Sequence, residues 1–190
     1  MAPSDVQQML EDTGAIRRGH FRLSSGLHSP LYVQCMMVLQ YPALAARLAD
    51  EAARQAASLE AQTVAAPALG GITWGYELAR VLNARAIFVE RNADGRFALR
   101  RFGLMPGERV LVAEDVLTTG GSTRETMEVI RAAGGEVVGV AAIVDRSQGK
   151  VDFGVPLRAL LTLSIETYAA DECPLCRAGQ PVEKPGSKPG

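Results

Sequence analysis

Apolar positions recur along this chain in two rhythms. Over the alanine-rich residues 42–59, Leu44, Leu48 and Ala52 fall at i, i+4 and i+8, which predicts an amphipathic helix with Pro42 near its first turn. Elsewhere the apolar runs are continuous, and residues 63–68, 86–90, 109–113, 137–144 and 157–165 each read as buried strands. Residues 73–83 and 122–133 return to a helical pattern, the second ended by Gly134-Gly135. Ahead of this core, residues 4–12 predict a short helix capped by Ser4 or Asp5, and residues 19–32 predict two short strands joined by a turn. Residues 92–96, centred on Asp94-Gly95, predict a turn that pairs 86–90 with 97–102 in a small hairpin.

Strands that are apolar throughout and alternate with helices predict an α/β fold, with a mostly parallel central sheet covered on both faces. Such sheets take ligands just beyond the carboxyl ends of their strands. Neither an internal repeat nor a linker interrupts the pattern. One domain over residues 1–170 is expected, with the short N-terminal strands as a small hood, followed by an irregular tail over 171–190 rich in Pro, Gly and Lys.

Composition narrows the function classes. The 190 residues carry a formal net charge of −1, so no global charge favours nucleic acid or an anionic membrane. No apolar run approaches the ~20 residues of a membrane helix. Residues 1–14 hold acids and glutamines without a basic or apolar region, so no signal peptide is expected. Three cysteines suit a reducing compartment better than a disulfide scaffold, and a cytoplasmic location is expected.

The chemistry concentrates after the 109–113 strand. Glu114 and Asp115 follow it directly, then Val116, Leu117 and the loop Thr118, Thr119, Gly120, Gly121, Ser122. Carboxylates at a strand end are costly to desolvate unless something pairs with them. The glycines let a ligand approach the backbone, and the loop N–H groups with the following helix N-terminus form an anion site. Acids that want hydroxyls or a hydrated metal, beside a loop that wants phosphate, suit a phosphorylated sugar. A solvated acidic turn capping a helix would leave the same residues. The loop is neither a Walker loop nor a dinucleotide G-x-G-x-x-G.

V-L-V-A-E-D-V-L-T-T-G-G-S, from Val110, resembles the phosphoribosyl diphosphate signature of the type I phosphoribosyltransferases. G-H-F-R-L-S-S-G-L-H-S-P-L-Y from Gly19, A-P-A-L-G-G-I from Ala66 and V-D-R-S from Val144 narrow the resemblance to the orotate phosphoribosyltransferase family. It extends from Gly14 to about Thr167. The resemblance implies the type I phosphoribosyltransferase fold and transfer of the phosphoribosyl group from 5-phosphoribosyl 1-diphosphate to orotate. It also implies Mg²⁺ carried by the diphosphate substrate, without direct side-chain ligands, and a homodimer. By resemblance, Glu114 and Asp115 hold the ribose hydroxyls, Thr118 to Ser122 hold the 5-phosphate, and Val116 and Leu117 belong to the same phosphoribosyl diphosphate site. Thr118 and Arg146 reach the orotate, and Tyr32 and Val33 line the base pocket. Gly70 and Gly71 admit the diphosphate, and Arg91 contacts it within the chain or across a dimer. Taken alone, Arg146 also reads as a surface arginine, Val33 as core, and the glycine pair as a plain turn.

Several positions depart from the family pattern. Gly70 and Ser24 stand where lysines are frequent, and Asn92 follows Arg91 in a short loop whose other cation is Arg96. Charge for the diphosphate is then expected from Arg91, Arg96, Arg100 and Arg101 with Mg²⁺, although Arg100-Arg101 also suits a solvated strand edge. His20 reads as structural, and His28 as a candidate acid. Cys173 and Cys176 have the C-x₂-C spacing of half a Zn²⁺ site, with Cys35 or a second chain to complete it, or form a redox pair. Lysines of the final E-K-P-G-S-K-P-G either reach an anionic site or belong to a free terminus. Transfer to another base, or sensing of phosphoribosyl diphosphate without catalysis, are the competing functions; no basic nucleic-acid-binding motif accompanies the second.

Overall fold

The computed structural model describes residues 1–23 and 25–185. Ser24 and Lys188, singled out above, lie outside the described residues. The chain opens with helix α1, Pro3–Asp12, and a hairpin of β1, Ile16–Arg22, and β2, His28–Val33. Asp5 caps α1 by accepting from the Ala2 N–H at 3.0 Å. Helices α2, Met36–Leu39, and α3, Pro42–Ala56, lead into the main sheet. There β3, Thr63–Pro67, is followed by α4, Gly70–Leu82, then β4, Arg85–Arg91, and β5, Phe97–Ala98. Next come β6, Arg109–Leu117, α5, Gly121–Ala132, β7, Glu136–Asp145, β8, Leu157–Thr162, and a last turn of helix, α6, Pro174–Arg177.

The six-stranded sheet has the order β5-β4-β3-β6-β7-β8, parallel throughout except for β5, which runs antiparallel to β4. The parallel strands are buried on both faces, which is why their sequences are apolar without alternation. Helices α1, α3 and α4 share one apolar cluster with the sheet, including Leu10, Leu48, Trp74 and Leu78. Met127 and Ile130 of α5 share the opposite cluster with Val112 and Val140. Among the described residues, no helix is long and apolar enough to cross a membrane.

The connections decide where a ligand can enter. β3 crosses through α4 to β4 on one side, whereas β6 crosses through α5 to β7 on the other. The order therefore switches between β3 and β6, and a crevice opens at their carboxyl ends. The β3–β6 pairing stops at Ala65–Val112, while β6 stays paired to β7 as far as Leu117–Asp145. The start of α4 fills part of the gap. A Cβ at Gly71 would lie 3.1 Å from the Ala66 Cβ and the Pro67 Cδ, tighter than an ordinary contact, so glycine lets the helix seat closely there.

Several boundaries differ from those expected. β6 continues four residues past Ala113, so Glu114 and Asp115 belong to the strand itself. Pairing with β7 carries the ladder on. Helix α4 begins at the Gly70-Gly71 pair that read as a turn, and β5 has two residues rather than six. The segment expected as an irregular tail contains α6 and lies against the hood, where Phe21 bridges to Glu183; just ahead of it, Tyr168 bridges to His28.

Gly75 of α4 lies directly over β3, where an added Cβ would come within 2.8 Å of the Ala66 Cβ. Gly75→Val should therefore destabilise the fold by about 1–3 kcal/mol through overpacking. The effect should appear as a lower urea midpoint at unchanged slope. An unchanged midpoint would show that α4 can shift off the sheet without cost.

Candidate active site

The carboxyl end of β6 gathers the polar groups of the molecule. Glu114 is 8% exposed, and its Oε2 accepts a 3.4 Å hydrogen bond from the Thr123 hydroxyl at the start of α5. Burial, and then the charge of the neighbouring Asp115, push the Glu114 carboxyl up to about 8. Asp115 is half-buried, and its Oδ1 accepts the Val116 N–H at 2.9 Å. The raised Glu114 carboxyl favours its protonated form at neutral pH, in which it can donate a hydrogen bond.

Gly70 approaches this pair from α4. A Cβ there would lie 3.2 Å from Asp115 Oδ2, so the absence of a side chain leaves the carboxylate open to the crevice. Behind the strand, the buried Cys35 thiol donates to the Asp115 carbonyl at 3.6 Å. Burial first, and then the two acids, push that thiol well above its usual range, so Cys35 adds no further charge.

Beyond Leu117 the chain curls around a narrow cleft lined by Glu114 and by residues 116–123. Gly120 takes φ +76°, and a Cβ there would meet Val151 at 2.9 Å and Phe153 at 3.1 Å. The turn therefore requires glycine on both conformational and steric grounds. The α5 N-terminus opens into this cleft, the arrangement that suits a phosphate.

A larger cavity of about 820 Å³ lies alongside, bounded by Tyr32, Thr118, Thr119 and Arg146. It joins the strand ends to the hood. Arg146 follows β7 directly, held by a 2.8 Å bond from its backbone N–H to the Leu117 carbonyl. Its Nε is buried without a hydrogen-bond partner, as is the Ser147 hydroxyl beside it. Burial lowers the guanidinium's pKa from its ordinary value, yet arginine stays charged in proteins. Unpartnered buried donors at a cavity wall mark a place where a ligand would complete the bonding.

The chain matches the model of the phosphoribosyl transferase domain over residues 37–153. A curated orotate phosphoribosyltransferase from Caldicellulosiruptor bescii is 56% identical over 182 residues, covering 95% of each chain. The chain belongs to the orotate phosphoribosyltransferase family. A family member from Thermotoga maritima is 47% identical over 96% of this chain and 98% of its own. The crystal structure of orotate phosphoribosyltransferase from Aeropyrum pernix aligns with a TM-score of 0.68 at 30% identity, over 83% of this chain and 93% of that one.

Against that family background, the expected site residues divide into two groups. Glu114, Asp115, the 118–122 loop and Gly70 meet at the crevice, and Tyr32, Thr118 and Arg146 share the adjoining cavity. Val33 instead faces the core beside Val38 and Leu48, because neighbouring residues of a strand point to opposite sides. Arg91 is held in its hairpin. It donates to the Gly95 carbonyl, lies 3.4 Å from Glu125 of α5 and stacks 4.1 Å over the Phe97 ring. Arg101 and Arg100 pair with Glu90 at 3.1 and 3.9 Å, and Arg96 is exposed.

Cys173 and Cys176 are not among the cavity residues. They meet His20 and His28, and Cys35 is not with them. Arg22, Ser147 and Lys150 line the cavity and were missed by sequence reasoning. Ser147 and Lys150 follow Arg146 in the chain, so their neighbourhood was legible. Arg22 lies on the hood, and no local pattern points to it.

The buried Glu114 proton makes stability depend on pH. Between about 4.5 and about 8 the native carboxyl stays protonated while the unfolded one ionises, so this group's contribution to stability falls as pH rises through that window. Glu114→Gln should flatten this decline in thermal melting of the ligand-free protein. The same slope in both proteins would place the burial penalty elsewhere.

Proposed function

We propose that this member of the orotate phosphoribosyltransferase family transfers the phosphoribosyl group from 5-phosphoribosyl 1-diphosphate to orotate, giving orotidine 5′-phosphate and diphosphate in pyrimidine biosynthesis. One observation carries the reading. The unpartnered Arg146 guanidinium shares a cavity with Thr118, whose loop starts at the strand end that holds Glu114 and Asp115. A planar acid, a phosphate and a ribose diol thus find complementary groups in order along one crevice.

In the reaction a ring nitrogen of orotate gives up its proton to the departing diphosphate or to water and bonds to ribose C1 as the C1–oxygen bond to diphosphate breaks. The ribose is cationic near the transition state, and the Asp115 carboxylate offers the charge that favours it. Protonated Glu114 donates to one sugar hydroxyl and Asp115 accepts from the other. Backbone N–H groups and hydroxyls of Thr118 to Ser122 hold the 5-phosphate. Arg146 and Thr118 orient the base, while Tyr32 forms the hood wall. Arg22 and Lys150 add positive charge for the orotate carboxylate. Gly70 and Gly71 leave backbone space for the diphosphate. Mg²⁺ brought by that substrate would supply charge to neutralise the leaving group, and the oxygen donors of Glu114 and Asp115 would suit its hydrated form. Arg91 reaches the diphosphate only after its contact with Glu125 opens.

We also place the protein in the cytoplasm, in keeping with its three free cysteines, and as a homodimer. Met36 and Met37 of α2 and Tyr76 of α4, all exposed on elements in mutual contact, suit a covered face.

Incubation with orotate, phosphoribosyl diphosphate and Mg²⁺ should deplete the orotate absorbance, whereas adenine, hypoxanthine and uracil stay unchanged. Binding of phosphoribosyl diphosphate without turnover of any base would turn the reading toward a sensor. Asp115→Asn should lower kcat at least ~10-fold, by removing charge beside the cationic ribose. Unaltered kinetics would take Asp115 out of the mechanism. Arg146→Ala should raise the orotate KM ~10- to 100-fold, the worth of a charged hydrogen bond, with a smaller change in kcat. An unaltered KM would remove Arg146 from base recognition.

A further inference from the structure

Outside the catalytic crevice, four metal-ligating side chains converge. His20 and His28 come from the two strands of the hood hairpin, Cys173 immediately precedes the single turn of α6, and Cys176 lies within it. Their ligand atoms all lie within 4.8 Å of one another. His20 Nε2 and His28 Nδ1 are 2.8 Å apart, and Cys176 Sγ is 3.2 Å from His28 Nδ1. Cys173 Sγ and Cys176 Sγ lie 3.6 and 3.7 Å from His20 Nε2. We propose that these four residues form a structural Zn²⁺ site that fastens the C-terminal segment to the hood.

The spacing supports this assignment. Zn–N and Zn–S bond lengths place neighbouring ligands of a tetrahedral zinc about 3.3–3.8 Å apart. Three nitrogen–sulfur distances fall close to that range; the histidine pair has to open by about 0.5 Å, and the widest pair, within 4.8 Å, has to draw in. The donor set, two thiolates and two imidazoles, is that of a closed four-ligand site, with no position left for a substrate.

The surroundings are built for a metal as well. His20, His28 and Cys173 are 3%, 6% and 0% exposed, so two imidazoles and a thiol share an interior where polar groups need partners. His20 Nδ1 lies 2.9 Å from the Gln180 carbonyl. A proton on Nδ1 satisfies that carbonyl and leaves the Nε2 lone pair facing the cluster, the outer bond that ligating histidines usually make. The β1–β2 register shifts between Arg18 and Phe21, and His20 lies within that irregularity. Bulges of this kind re-aim a side chain.

The mechanical consequence follows from the neighbouring backbone bonds. The Arg22 N–H donates to the Glu183 carbonyl and the Glu183 N–H to the His20 carbonyl, both at 2.8 Å. Arg22 and Tyr32 of the hood and Pro185 of the C-terminal segment all line the large cavity. A metal at the cluster would thus hold two of its walls together. The proposal stands independently of the transferase reading.

The test uses the full chain, purified without a metal-affinity step. Elemental analysis should find one zinc per chain. Replacement by Co²⁺ should give thiolate-to-cobalt charge transfer and the intense visible bands of a tetrahedral ion. Cys176→Ser should weaken zinc retention at least ~10-fold and diminish the charge-transfer band. Metal-free protein that takes up neither Zn²⁺ nor Co²⁺ would overturn the proposal. So would a Cys173–Cys176 disulfide in protein kept under reducing buffer. Should Cys176→Ser fail to fold, the Co²⁺ spectrum of the unaltered chain still decides.

Discussion

The Glu114 carboxyl is buried inside a parallel sheet, next to a second acid, and much of the surrounding structure accommodates that cost. Burial, and then the neighbouring Asp115, raise the Glu114 carboxyl to about 8, which favours its protonated form at neutral pH. Thr123 supplies a hydroxyl, and Cys35 lies behind as a neutral thiol. Gly70 carries no side chain, which leaves Asp115 facing the crevice.

The crevice exists because the sheet changes direction between β3 and β6. Strands to one side follow α4, strands to the other follow α5, and the two helices cover opposite faces. Among the described residues, the glycine-led start of α4 and the 118–122 loop border the carboxyl end of that junction. The hood then closes over the adjoining cavity from the far end of the chain's fold. It is a hairpin of two strands, and such a unit is marginal alone. Contacts with the C-terminal segment give it support, so residues remote in sequence from the chemistry shape the pocket.

Elements with dense local signals were legible from the sequence. The continuous apolar runs located every parallel strand, because burial on both faces leaves no polar alternation to confuse. Boundaries slipped where tertiary pairing extends an element: β6 runs on through Glu114 and Asp115 because β7 offers them a ladder. Helix α4 starts at two glycines, poor helix formers, because close approach to β3 matters more there than propensity. Strand alternation on β2 separated Tyr32 from Val33, a distinction that depends on which face the hood turns inward. Arg91 reads from the sequence as a contact to the diphosphate, and only the fold shows it 3.4 Å from Glu125.

The sequence by itself determined the α/β architecture, the acid pair at the end of β6 and the glycine-rich phosphate loop. All of these rest on short-range chemistry: period, strand-end position, and backbone conformations that need glycine. Tertiary structure alone decided which hood residues line the cavity and which cations are engaged elsewhere. It alone brought His20 to Cys173, 153 positions away. Such pairings are set by the packing of distant segments, and no local pattern of residues encodes them.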